Sequence, residues 1–138
     1  MKDLASHEAP LAAQIARIPF AILLGIELIA SDRDRIEAKL VVRPELCNPM
    51  GVLHGGAAIS IADTLGAMLA FRNLPEGAGG TTTLESKTNF LGPAKSGETV
   101  MAVTTAVHVG RRTSVWQTRI TTEAGKPVAL VTQTQMTL

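Results

Sequence analysis

The sequence predicts an α+β domain in which an antiparallel sheet packs on one long buried helix. Three observations carry the prediction. Fourteen of the 15 threonines lie after residue 80, mixed with frequent valine, and that is strand composition. Residues 55–71 form a helical stretch that is apolar on most sides, as a helix enclosed by other structure must be. Two short strand-like runs precede it, at residues 25–31 and 35–42.

Each element follows from local pattern. Residues 4–20 place Leu11, Ile15 and Ile18 at i, i+4 and i+7, a helical spacing with Pro19 as a breaker near the end. The first two strands are joined by the polar turn Ser31-Asp32-Arg33-Asp34. In the second strand Ile36, Ala38, Leu40 and Val42 alternate with Glu37, Lys39 and Val41, which marks a half-buried antiparallel strand. Pro44, Asn48, Pro49 and Gly51 make residues 43–51 a loop. The long helix then presents Ala58, Ile61, Leu65, Met68 and Leu69 on one broad face, and residues 77–80 end it. Four long strands are expected at residues 81–91, 98–109, 113–122 and 127–138, separated by turns at Gly92-Pro93, Gly110-Arg111 and Ala124-Gly125-Lys126. The 138 residues read as one domain. A sheet with one face on the helix leaves a half-apolar outer face and open edges, which predicts a homo-oligomer.

Composition narrows the function. At 46% hydrophobic and 18% charged residues, the chain suits a packed core and not a disordered one. A net charge of +1 and only four aromatics (Phe20, Phe71, Phe90, Trp116) give nucleic acid neither an electrostatic footprint nor a stacking platform. Cys47 is the single cysteine, so no intrachain disulfide forms and a reducing, cytoplasmic setting fits. Mean hydropathy is +0.22, but residues 18–30 are interrupted by Glu27 and residues 51–71 carry His54 and Asp63, so no membrane span is expected. Asp3 and Glu8 also sit where a secretory signal needs positive charge. His7, His54 and His108 have no ligand spacing, so no metal is expected, and there is no nucleophile-elbow serine motif.

The chemistry concentrates around one helix start. His54-Gly55-Gly56 opens the long helix, where first-turn N–H groups lack partners and the helix dipole places partial positive charge. A carbonyl oxygen gaining negative charge would be stabilised there, although two glycines equally suit close packing on a strand. Asp63 lies two turns further on among Ala, Ile, Leu, Met and Gly, and a buried carboxylate in such company calls for a role as base or nucleophile. The alternatives are a surface position or a structural hydrogen bond to a strand. Eight residues of helix rise about 12 Å, too far for Gly55 and Asp63 of one helix to act on one carbonyl. If both act, they come from two antiparallel copies of the helix across a dimer interface. Asn48 and His54 are the polar residues ahead of the helix, with loop capping as their plainer role.

Taken together, these residues resemble the PaaI-like branch of the hotdog-fold acyl-CoA thioesterases. The resemblance rests on Asn48, Gly51, His54-Gly55-Gly56 and Asp63, then Asn89-Phe90-Leu91 with Pro93 and Gly97, Gly110-Arg111, and Gly125-Lys126-Pro127-Val128-Ala129. It runs from about residue 20 to the C-terminus. It implies a six-stranded antiparallel sheet wrapped around one central helix, dimerising edge to edge and often pairing again into a homotetramer. It implies metal-free hydrolysis of an acyl-CoA, with CoA as part of the substrate and no separate cofactor. By position, Asp63 would be the base or nucleophile, and the Gly55 N–H would polarise the thioester carbonyl. Asn48 and His54 would position substrate or water, and Thr82 would help orient the attacking water. Gly56, Phe90, Lys95, Gly110, Arg111 and Arg112 are the expected substrate and CoA contacts, solvated turn charge being the plain alternative for the three basic residues. Leu53, Ile59, Met68 and Phe90 would border an acyl tunnel between protomers. Two rivals are weighed beside hydrolysis: a hotdog hydratase or dehydratase using His54 and Asp63, and a non-catalytic acyl-CoA sensor.

Overall fold

The computed structural model describes residues 7–138. Six strands form one antiparallel sheet: β1 (Glu27–Ser31), β2 (Arg35–Val41), β3 (Thr81–Phe90), β4 (Thr99–Val109), β5 (Thr113–Thr122) and β6 (Pro127–Thr137), in the order β1-β2-β4-β5-β6-β3. The sheet curls around the 18-residue helix α3 (Gly55–Arg72). These are the expected α+β architecture and strands, within one or two residues at each strand end.

The N-terminal helix differs from expectation. Residues 4–6 of the predicted helix lie outside the described residues. The rest divides into α1 (Leu11–Ala16) and α2 (Pro19–Leu24). Pro19 starts α2 instead of ending α1, because its missing N–H is not needed at the first helical position and its fixed φ is already helical. Gly25, with φ 82°, closes α2 in the left-handed region. The long helix also ends before residues 77–80. Asn73 stops it, its side-chain Nδ2 donating to the carbonyls of Leu69 (2.9 Å) and Arg33 (2.8 Å).

Burial follows the sheet's period of two and the helix's 3.6. Ile36, Leu40, Ile61, Leu65, Leu69, Trp116 and Ile120 are fully enclosed between sheet and helix, and burying each such large side chain contributes about 1.5–3 kcal/mol. The inner face is not wholly apolar. Thr104 and Thr118 share a 2.7 Å hydroxyl contact across β4 and β5. Gln133 is buried with neither amide atom partnered, and it fits only because Gly66 lacks a side chain: a Cβ there would lie 1.7 Å from Gln133 Nε2. At the other end of the helix, Arg72 donates to Gln14 Oε1 (2.6 Å) and the Asp32 carbonyl (2.9 Å), tying α1 and the first hairpin to α3. Burial pushes the Arg72 guanidinium below its ordinary value, and the Asp32 charge opposes the shift.

The sheet's two edges differ. β1 is short, pairs Glu27 with Lys39 of β2 (3.4 Å) and packs beside α1. β3 is ten residues long and almost wholly exposed. α3 is likewise exposed along one line, Gly56, Ile59 and Asp63.

Candidate active site

The start of α3 shows how few donors a helix N-terminus keeps. His54 is the N-cap, and its ring Nδ1 accepts the Gly56 N–H at 2.9 Å. The Ala57 and Ala58 N–H groups both reach the His54 carbonyl, at 2.9 and 3.3 Å. Among the described residues no acceptor meets the N–H of Gly55, so it is the one first-turn donor left for a ligand. Since Nδ1 accepts, the ring's own N–H is at Nε2. Asn48 is also engaged in capping, its Oδ1 taking the N–H of Met50 (3.0 Å) and of Val52 (3.4 Å). The amide Nδ2 remains as a donor. Both plainer roles expected for these residues are thus present, and each side chain keeps one group for a substrate.

Gly55, Asn48 and Phe90 come together in a cleft of about 320 Å³ whose wall includes Leu53, Pro93 and Val128. The Phe90 ring lies so close that a Cβ on Gly55 would sit 2.8 Å from it, and a Cβ on Gly56 would sit 3.0 Å from His54 Nδ1. Close packing therefore accounts for the glycine pair, and the unpaired N–H at position 55 is a property of the backbone there. Lys95 stands on the neighbouring loop, bridged to Val52, with its backbone N–H donating to Glu98 (2.5 Å).

Asp63 lies elsewhere on the same helix, and it is not buried. The apolar neighbours that suggested burial are on the sides of α3 that the sheet wraps, whereas Asp63 is on the exposed line. Its Oδ1 accepts a 2.9 Å hydrogen bond from Thr83 Oγ1. It borders a second cleft of about 360 Å³, lined by Ile18, Phe20, Thr64, Ala67, Met68 and Phe71 among others. Of the residues expected to border an acyl tunnel between protomers, Leu53 and Phe90 line the first cleft, Met68 lines the second, and Ile59 is exposed on the open line between them.

Thr83, and not Thr82, is the hydroxyl beside Asp63. Counting back in twos from Phe90, which faces Gly55, lands on Thr82. A β-bulge breaks the count, because the pairing with β6 jumps from Thr83↔Gln135 to Glu85↔Thr134 and leaves Leu84 unpaired. That extra residue turns Thr83 and Phe90, seven apart, onto the same face. Ordinary alternation leaves Thr82 on the opposite face. Gly110, Arg111 and Arg112 form the β4–β5 turn at the Thr81 end of β3, since Thr137 donates to the Arg112 carbonyl and pairs with Thr81. Lys95 is near the Phe90 end, so one protomer does not bring these basic residues together. Among the described residues no three His, Cys, Asp or Glu side chains group to hold a metal ion, and no helix is long and apolar enough to cross a membrane.

A family model for the thioesterase superfamily matches residues 50–129, which spans Gly55, Asp63, Thr83 and Phe90. The chain belongs to the thioesterase superfamily. Among relatives of this thioesterase, a Haemophilus influenzae protein with an inferred esterase name is 40% identical over 103 residues, 75% of this chain and 73% of that one. The 1,4-dihydroxy-2-naphthoyl-CoA hydrolase of Escherichia coli is 33% identical over 93 residues, 67% of each chain. Among solved structures, a thioesterase from Haemophilus influenzae superposes with a TM-score of 0.85 at 33% identity, covering 94% of this chain and 90% of that one. The Escherichia coli PaaI protein of the phenylacetic acid degradation operon superposes at 0.79 and 26% identity, covering 92% and 93%. The PaaI-like reading and the hotdog fold hold. The residues that the sequence did not single out in this thioesterase are Thr83, Gln135 and the α2 residue Phe20, which borders the Asp63 cleft.

Proposed function

We propose that this thioesterase hydrolyses an acyl-CoA to the free acid and CoA at a site completed by a second copy of the chain. The observation that carries the proposal is that α3 offers one unpaired N–H, at Gly55, and one half-engaged carboxylate, at Asp63, on the same helix. Their separation of about 12 Å along the helix forbids joint action within one protomer.

An edge pairing resolves the separation. α3 and β3 run in opposite directions, because Phe90 at the end of β3 meets Gly55 and Thr83 near its start meets Asp63. If two copies of β3 pair antiparallel, the Phe90 end of one lies beside the Thr83 end of the other. The Gly55 cleft of each copy then faces the Asp63 of its mate. The same pairing covers the exposed Ile59, Leu84 and Phe90 and uses the open backbone of β3. It also carries the Arg111-Arg112 turn of one copy toward the Lys95 loop of the other, giving CoA phosphates a basic rim.

In the reaction, the thioester carbonyl oxygen accepts the Gly55 N–H, with the helix dipole behind it. The Nε2–H of His54 and the Nδ2 of Asn48 are the donors left to hold the substrate. Asp63 Oδ2 either removes a proton from water, which adds to the carbonyl carbon, or adds to that carbon itself and is then freed by water. In both routes the C–S bond breaks and the thiolate of CoA leaves and takes up a proton. No resident cofactor enters either route. The clefts are mainly apolar and suit aromatic or medium-length acyl groups.

The test is thiol release from a panel of aromatic and aliphatic acyl-CoAs by the wild type and Asp63→Asn. Turnover by the wild type and a loss of about a thousandfold in the variant, with ester binding retained, is the expected result. Binding without release by the wild type would overturn hydrolysis in favour of a sensor. Addition of water to an enoyl-CoA without thiol release would favour a hydratase.

A further inference from the structure

We propose that the buried Gln135 is a positioning residue for this reaction, because it fixes the direction in which the Thr83 hydroxyl bonds to Asp63. The proposal rests on reading Asp63 as the carboxylate that drives hydrolysis.

Four hydrogen bonds form the arrangement. Thr83 Oγ1 donates to Asp63 Oδ1 at 2.9 Å, and Gln135 Nε2 donates to Thr83 Oγ1 at 2.6 Å. Thr81 Oγ1 lies 3.1 Å from Gln135 Oε1 and 3.1 Å from the Met136 carbonyl, one hydroxyl proton shared between two acceptors. An ionised carboxylate only accepts, so Thr83 must donate to it, and the Thr83 oxygen must then take its own proton donor from elsewhere. Gln135 supplies that donor. On its other side the amide meets Thr81, whose hydroxyl proton lies within reach of both Oε1 and the Met136 carbonyl.

Burial makes the orientation permanent. Gln135 is 1% exposed, so water cannot substitute for either partner. Were the amide turned over, Oε1 would face Thr83 and draw its proton away from Asp63. An inner-face glutamine therefore keeps the Thr83 proton on Asp63, within a network whose bonds strengthen one another at low dielectric. The β-bulge at Leu84 belongs to the same device, since it is what turns Thr83 toward α3 ahead of a Phe90 that also faces α3.

The functional consequence is a division between the two carboxylate oxygens. Asp63 is exposed and would otherwise sample several rotamers. The Thr83 bond holds Oδ1, and among the described residues no protein donor meets Oδ2. Oδ2 is thereby left for water or substrate. A base must lie about 3 Å from the proton it takes, so a wandering carboxylate lowers turnover without weakening substrate binding.

The experiment compares Thr83→Val, Thr83→Ser, Gln135→Met and the Thr83→Val/Gln135→Met double variant, with kcat and KM measured separately on the best acyl-CoA of the panel. Circular dichroism and melting confirm the fold of each. Thr83→Val is expected to lower kcat about tenfold with KM changed less than about twofold. Thr83→Ser should recover most of kcat. Gln135→Met should lower kcat by a smaller factor, and the double variant should be no slower than Thr83→Val. Wild-type kcat in Thr83→Val, no recovery in Thr83→Ser, or multiplicative losses in the double variant would each overturn the proposal. If Gln135→Met does not fold, the two Thr83 variants decide alone. If the wild type hydrolyses no ester, the hydrolase reading has failed by itself. The relay is then read by NMR: the Gln135 side-chain amide signals should move in Asp63→Asn, and unmoved signals would sink it.

Discussion

The two clefts along α3 are built in different ways. At the Gly55 end every fixed polar group is set by near neighbours in sequence: His54 caps Gly56 two residues on, and Asn48 caps Met50 and Val52. The reacting group there is a backbone N–H, which no side-chain substitution of ordinary kind removes. At Asp63 the groups come from far apart: Thr83 is 20 residues away, and Gln135 is 52 residues beyond Thr83. The first cleft survives as long as the helix starts where it does. The second depends on sheet register, on a bulge and on a buried amide.

The sharpest way to break that contrast is to remove one reacting group from each cleft. Asp63→Asn should cost about a thousandfold in kcat, and Gly55→Pro about a hundredfold. Proline suits Gly55 because it is the first helical position and His54, with ψ 138°, is already extended as a residue before proline must be. The atoms nearest to a Cβ there belong to the Phe90 ring, which has to move aside. Mixing the two inactive variants after dissociation then separates the architectures. In a site shared between copies, about half the reassembled dimers are mixed, and one of their two sites is intact, so roughly a quarter of wild-type activity should return. No recovery would place both groups in one protomer and break the edge-pairing proposal.

A smaller effect tests the packing behind the second cleft. Gly66→Ala should gain a little helix propensity but drive a Cβ to 1.7 Å from Gln133 Nε2, forcing that buried amide out of place. Strain in a filled core of this kind costs about 2 kcal/mol, or roughly 5–8 °C of melting temperature. A melting temperature equal to wild type would show that Gln133 relocates freely, and the inner face near Asp63 would be softer than its burial implies.

What was legible in the sequence divides along the same line. The strands and α3 were readable because period-two and helical patterns are local and because Thr and Val mark strands. The Gly55 end was readable because capping lies within a few residues. Pro19 was misjudged, since a proline that ends one helix and one that begins the next look alike without the turn between them. For Asp63 the two alternatives to burial, a surface position and a hydrogen bond to a strand, are what the structure has, because its apolar flanks say nothing about which line of the helix is open. Thr82 is the position that the resemblance implies, whereas a one-residue bulge, which no local pattern shows, puts Thr83 beside Asp63. Gln135 carries no motif at all. Its part follows from β6 pairing with β3, a contact no local window contains.

His54 gives the finest test, because it caps a helix and, on the proposed reading, its Nε2–H is also a donor to the substrate. His54→Ala removes both, which should lower stability by about 1 kcal/mol and leave the Gly56 N–H unpaired. His54→Asn restores a side-chain oxygen that takes the Gly56 N–H, since asparagine is among the best N-caps, but it offers no donor where Nε2 was. The expected result is a melting temperature in His54→Asn close to wild type, with kcat/KM still down about fivefold, a loss on the scale of one hydrogen bond. Should activity return together with stability, the ring serves the helix alone. The Gly55 cleft would then be a site made of backbone, with Asn48 Nδ2 as its one side-chain donor.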